Sequence, residues 1–117
     1  MSNDEFTVAH HFVDKEPTVR ATYDRLLKEM RKLGKVGEEP KKTSIHLMHT
    51  TAFAGVATRK AHLVLTVKSD ADIKSARIHK SEKVSAHRYH HEMKLSAPDD
   101  VDAELLGWLK GAYELSK

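Results

Sequence analysis

The hydrophobic residues of this chain change their spacing near residue 35, and this change restricts the fold more than any other feature. Before it, apolar residues recur every three or four positions, which is typical of one face of an α-helix. After it, from residue 43 to residue 68, apolar and polar residues alternate, which is typical of half-buried β-strands. The sequence therefore predicts a helix followed by a sheet.

The predicted first helix begins near Pro17, which suits a first turn, and ends at Gly34. Acidic residues lie just before its first turn and basic residues lie in and just after its last turns, as the helix dipole favours. The segment Gly37-Glu38-Glu39-Pro40 is predicted to be a linker. The apolar stripe of this helix consists of Val19, Tyr23, Leu26, Leu27, Met30 and Leu33.

Strands are predicted at residues 43–50, 52–58 and 61–68, and again at residues 86–95. The connection at Arg59-Lys60 is too short for the crossover that parallel strands need, so we expect an antiparallel meander. Residues 69–84 are polar and stay unassigned.

A second helix is predicted to open at Ser96-Ala97-Pro98-Asp99, which resembles a capping box. The acidic residues at its start favour the helix through its dipole, so we interpret them as caps rather than as catalytic groups or Mg²⁺ ligands. Its stripe consists of Val101, Leu105, Trp108, Leu109 and Ala112.

Together these elements predict an α+β fold. We expect a two-layer sandwich in which an antiparallel sheet of about four strands carries the N-terminal and C-terminal helices on one face. The 117 residues suffice for one core, so we expect a flexible tail at residues 1–9 and a single domain at residues 10–117. Without cysteine, a signal-like start or a long apolar run, we expect a cytoplasmic protein that does not associate with membranes.

Positive charge is concentrated in the middle of the chain. Residues 35–95 contain twelve Lys or Arg against six Asp or Glu, whereas residues 98–117 contain two against five. Such an asymmetry attracts anionic partners, although a solvated basic face is the ordinary interpretation. We expect a nucleic acid or a phosphorylated metabolite to bind the uncovered sheet face, at a candidate site formed by Lys42, His46, Arg59, Lys60, Arg77, Arg88 and His90.

Motifs for catalysis or cofactor binding are missing from the sequence. There is no cysteine, no Gly-x-Ser-x-Gly elbow and no Gly-rich phosphate loop. The nine histidines show no zinc-binding spacing, which leaves open only a cross-strand arrangement of His46, His62 and His90. We therefore assign no catalytic residue, metal or cofactor.

Several short motifs together resemble a known family. They are Phe53-Ala54-Gly55-Val56, Arg59-Lys60, Arg77, Arg88-Tyr89-His90-His91, Asp99-Asp100-Val101-Asp102, Trp108-Leu109 and Ala112-Tyr113. This set is similar to the bacterial domain of unknown function 5655 over most of residues 10–117. The resemblance implies no established activity and no cofactor, so no catalytic residue follows from it.

Three classes of function remain open at this point. The first, which we favour, is a non-enzymatic module that binds an anionic ligand on the basic, His-bearing sheet face. The second is a small hydrolase-like enzyme that combines His90 with Arg59, Arg77 or Arg88 in a pocket. The third is an interaction or oligomerisation domain in which the acidic start of the second helix meets the basic first helix of another molecule. The oligomeric state itself is not indicated by the sequence.

Overall fold

A computed structural model describes residues 6–117 of the chain. Its two α-helices are α1 (Pro17–Met30) and α2 (Ala103–Leu115), and short 3₁₀ helices cover Ala9–Phe12 and Pro98–Asp100. Six strands form one sheet in the order β1-β2-β3-β4-β6-β5, with every neighbouring pair antiparallel. They are β1 (Gly37–Pro40), β2 (Ile45–Met48), β3 (Ala52–Thr58), β4 (Leu63–Ser69), β5 (Ile78–Ser85) and β6 (Arg88–Leu95).

Both helices contribute to one hydrophobic core on one face of the sheet, which confirms the predicted α+β fold. The predicted stripe of α1 is buried, except that Leu33 lies beyond the end of the helix and is exposed. Helix α2 packs on β3 and β4, where Phe53 meets Tyr113 edge to face at 5.4 Å between ring centroids. The aromatic pair therefore joins the middle of the sheet to the C-terminal helix.

Strand β4 shows the alternation most clearly. Leu63, Leu65 and Val67 are almost fully buried, whereas the residues between them are partly exposed on the other face. Because the side chains of a strand alternate between its two faces, burial of these three residues also places Val64, Thr66 and Lys68 on the uncovered face.

The sheet has six strands, so the expectation of about four was too low. The segment predicted to be a linker is β1, and part of the unassigned stretch at residues 69–84 is β5. Both are edge strands that carry few apolar residues, so the period-2 pattern did not reveal them.

Strand β1 is stabilised by a polar contact to α1. The hydroxyl of buried Tyr23 donates to Oε2 of Glu38 at 2.6 Å, and Arg31 approaches Oε1 of the same carboxylate at 3.5 Å. Burial of the ring and this contact with the carboxylate raise the pKa of Tyr23. A buried hydroxyl needs a partner, and Glu38 provides one from β1, whose backbone pairs with β2.

Strand β5 and the loop before it are fastened by two side chains. His91, which is fully buried, lies 2.8 Å from Ser81 Oγ through Nδ1 and 3.0 Å from the carbonyl of Ala71 through Nε2. Arg77 contacts Asp102 at 2.8 Å and Glu104 at 3.2 Å, so it ties the loop to the start of α2.

The start of α2 differs from the predicted one, and the predicted tail at residues 1–9 is only partly covered by the structure. Residues 1–5 of the predicted tail lie outside the described residues, and Val8 already packs against the core. Residues Pro98–Asp100 form a 3₁₀ turn, and α2 begins one turn later with Asp102 as its cap, accepting from the Leu105 N–H at 3.0 Å. Within residues 6–117, neither helix has the length and apolar content needed to cross a bilayer.

Gly34 provides a test of how α1 is joined to the sheet. Its φ is 151°, and an added Cβ would stand 2.5 Å from Tyr113 Oη, which donates to the carbonyl of Lys35. We expect Gly34→Ala to lower the free energy of unfolding by about 1–3 kcal/mol.

The matched control is Gly107→Ala in α2, where an added Cβ meets nothing within 4 Å. That change should raise the free energy of unfolding by about 0.5–1 kcal/mol because alanine favours a helix interior. Urea denaturation of the two variants measures both, and equal effects would contradict this account of Gly34.

Candidate functional site

The uncovered face of the sheet contains a groove of about 420 Å³, which we call the open-face groove. It follows β3, with β2 on one side and β4 and β6 on the other. Its lining consists of Ser44, His46, Ala52, Phe53, Ala54, Gly55, Ala57, Arg59, Val64, Thr66, Lys68, His90 and Glu92.

The floor of the groove is low because β3 has small residues there. Gly55 lies on the uncovered face between His46 on β2 and Thr66 on β4, and Ala57 lies on the same face opposite Val64 of β4. A shift in the β2–β3 register leaves both Phe53 and Ala54 buried, so no large β3 side chain occupies the outer face. The neighbouring strands therefore form walls above an apolar floor.

One end of the groove is cationic. Arg59 and His62 meet at the β3–β4 turn, where the Arg59 N–H donates to the His62 carbonyl at 2.8 Å, and Lys94 is paired with Val64 next to them. Burial lowers the pKa of His62, and the charges of Lys94 and Arg59 lower it further. Among residues 6–117, neither Arg59 nor Lys94 forms an ion pair. This cationic end, formed by Arg59, His62 and Lys94, therefore has positive charge that no ion pair among the described residues offsets.

The wall on β6 carries a carboxylate. Glu92 is paired with Thr66 in the register, and its Oε1 lies 2.7 Å from Nε2 of His79 on β5. Farther along the groove, Lys68 and His90 are paired with each other, and Glu82 stands opposite His90. The charge of the groove is therefore uneven, and it is most positive at the cationic end.

Three of the seven residues proposed from sequence line the groove: His46, Arg59 and His90. Lys60 lies on the turn beside it, but its Nζ donates to the Asp14 carbonyl at 3.0 Å. Arg88 lies farther along β6, with Nη1 on the carbonyl of His87 at 2.9 Å.

The other two proposed residues are elsewhere. Lys42 is exposed in the turn between β1 and β2. Arg77 lies on the helical side of the molecule, where it binds Asp102, Glu104 and the carbonyl of Asp100 at 2.7 Å. The structure therefore does not bring these two side chains together with the groove.

His46, His62 and His90, which the sequence left as a possible cross-strand metal site, do not come together in the structure. His46 on β2 and His90 on β6 are separated by β3 and β4, which puts their backbones about 14 Å apart. Within the part of the chain that the structure describes, no group of three His, Asp or Glu side chains is close enough to hold a metal ion.

Two charged groups of the groove were missing from the proposed site, namely Lys68 and Glu92. Both follow the alternation of their strands, in which Val64, Thr66 and Lys68 share one face of β4 and His90, Glu92 and Lys94 share one face of β6. The alternation alone places both residues on the uncovered face. Choosing the candidate site for its positive charge left out the Glu92 carboxylate.

The pKa of His62 tests the charge of the cationic end. We expect Arg59→Ala to raise the pKa of His62, because it removes one of the two positive charges that oppose protonation of the imidazole. Titration of the His62 ring protons by NMR measures this.

Lys110→Ala, which removes an exposed charge from α2, is the matched control and should leave the pKa of His62 unchanged. A pKa of His62 that stays the same in both variants would show that Arg59 does not act on the imidazole.

Comparison with known proteins identifies a family for nearly the whole chain. The family model of a domain of unknown function, DUF5655, matches residues 8–116, a span that contains both α-helices and all six strands. Neither the search of curated proteins nor the search of solved structures returned a match. The resemblance expected from the sequence is therefore confirmed.

Proposed function

We propose that this chain, which belongs to the DUF5655 family of domains of unknown function, is a binding module for a small anionic ligand held in the open-face groove. The observation that carries the proposal is the cationic end, where Arg59 and Lys94 have no ion-pair partner within residues 6–117. A guanidinium at a groove end binds phosphate or carboxylate through paired N–H groups.

The groove favours a small anion over a nucleic acid strand. Its volume of about 420 Å³ lies in the range of small-molecule sites. A polyanion that followed the groove would also pass Glu92 in its wall and Glu82 beside it, and like charges repel. The groove offers no tyrosine or tryptophan on which successive bases would stack.

The two other classes of function gain less support from the same geometry. For an enzyme, His90 and Arg59 do line the groove, but Arg77 is held by Asp102 and Glu104 on the other side of the sheet. For self-association through the acidic start of α2, the same two carboxylates are already paired with Arg77. Neither hypothesis has a specific contact in its favour.

Arg59 is the first residue to test. We expect Arg59→Ala to weaken the binding of inorganic phosphate about tenfold, since it removes the only guanidinium that lines the groove among the described residues. Arg59→Lys should recover part of the affinity because it restores the charge without the fork geometry.

Isothermal titration at low ionic strength measures these affinities, with Lys110→Ala as the variant of equal net charge. The binding should also weaken as salt is added, because the groove is open to solvent. Equal phosphate affinities of the Arg59→Ala and Lys110→Ala variants would rule out the cationic end as the anion site.

The floor of the groove offers a second test that does not change charge. Gly55→Val should keep the sheet folded, because valine favours strands. It should reduce the binding of a phosphorylated ligand larger than inorganic phosphate, because it fills the space above β3 in which the rest of that ligand would lie. Gly55→Ala is the control, because its Cβ would lie 3.9 Å from Cδ2 of His46, an ordinary contact. If the valine variant is folded and binds as tightly as the alanine variant, the ligand does not occupy the floor.

A further inference from the structure

The open-face groove places a carboxylate close to its cationic end. Lys94 is paired with Val64 and Glu92 with Thr66, so the two side chains are two residues apart on the same face of β6. This spacing along a strand corresponds to about 7 Å. A ligand whose anion binds the cationic end therefore meets Glu92 with its next few atoms.

Glu92 has one carboxylate oxygen without a hydrogen-bond partner among the described residues. His79 engages Oε1 at 2.7 Å, and within the described residues no donor engages Oε2. The side chain is one-third exposed, at 33%, and Glu92 lines the groove. Thr66 stands beside it on β4 and also lines the groove. The wall thus presents an acceptor and a hydroxyl next to each other.

These two groups select a neutral, hydroxyl-bearing portion of a ligand. A second anionic group would be repelled by the carboxylate, whereas a pair of hydroxyls can donate to it, as a ribose does to an acidic residue in dinucleotide-binding folds. The floor between the two ends consists of Gly55, Ala57 and Val64, against which the carbon skeleton of a sugar ring can rest. The spacing of anion site and acceptor is comparable to the length of one phosphorylated pentose.

We infer that the open-face groove binds a sugar phosphate unit, with its phosphate at Arg59 and Lys94 and its hydroxyls on Glu92 and Thr66. This inference rests on the proposed function and adds the chemical class of the ligand. The unit has two sources, a free sugar phosphate or a mononucleotide. The remaining groove towards Lys68 and His90 is where the base of a mononucleotide lies.

The experiment compares the affinities of inorganic phosphate, ribose 5-phosphate, adenosine 5′-monophosphate and ribose for the full chain by isothermal titration. We expect ribose 5-phosphate to bind at least about tenfold more tightly than inorganic phosphate, because it adds the contacts to Glu92 and Thr66. Glu92→Gln should remove most of this advantage while it leaves the affinity for inorganic phosphate equal or higher.

Glu82→Gln is the matched control, because Glu82 is exposed on β5 outside the groove lining and loses the same charge. It should retain the preference for ribose 5-phosphate over inorganic phosphate. Tighter binding of adenosine 5′-monophosphate than of ribose 5-phosphate assigns the unit to a nucleotide, and equal or weaker binding assigns it to a free sugar phosphate.

Two results overturn the inference. The first leaves the proposed function standing, and the second overturns the proposed function as well. If inorganic phosphate and ribose 5-phosphate bind equally, with both affinities reduced by Arg59→Ala, the groove is an anion site without sugar recognition and the proposed function stands. If none of the phosphorylated probes binds, or if their binding is unaffected by Arg59→Ala, the proposed function fails as well.

Discussion

The side chains of strand β4 lie alternately in the hydrophobic core and on the open-face groove. Both the core and the groove depend on this alternation. Leu63, Leu65 and Val67 are buried beneath the helices, so a shift of one residue would expose all three and bury Lys68. The cost of such a shift fixes the register of β4 against β3 and β6. The arrangement of groups on the open face is therefore determined by burial on the other side of the sheet.

Polar contacts then decide which of the basic residues remain available to a ligand. Arg77 is bound by Asp102 and Glu104, and Lys60 is bound to the carbonyl of Asp14, so both serve the fold. Arg59 and Lys94 are exposed and form no ion pair within the described part of the chain; Arg59 lines one end of the groove with Nη1 on the Thr58 carbonyl at 3.2 Å, and Lys94 lies beside that end. Some of the basic residues in the middle of the chain thus stabilise the fold, and others make one end of the groove positive. Only the second group contributes to ligand binding.

The sequence predicted the elements that bury apolar residues and missed those that do not. Both helices and four strands follow from the hydrophobic period. Strand β1 is held by its pairing with β2 and by the contact between Tyr23 and Glu38, and β5 by its pairing with β6 and by the contact between Ser81 and His91. The same limit applies to the site. His46, Arg59 and His90 were placed by strand alternation and by the short turn, but the role of Arg77 depends on a partner 25 residues away in the chain. Long-range polar contacts of this kind leave no periodic signal in the sequence.

The most direct test of the anion site is to map it on the full chain by amide chemical shifts during a titration with inorganic phosphate. We predict that the largest shifts cluster at residues 57–64 and at Lys94, around the cationic end, and that α1 is unaffected. The basic end of α1, where Arg31 and Lys35 line a second depression, is the natural competitor. Shifts centred on that depression, or none above those of a chloride control, would contradict the assignment of the open-face groove.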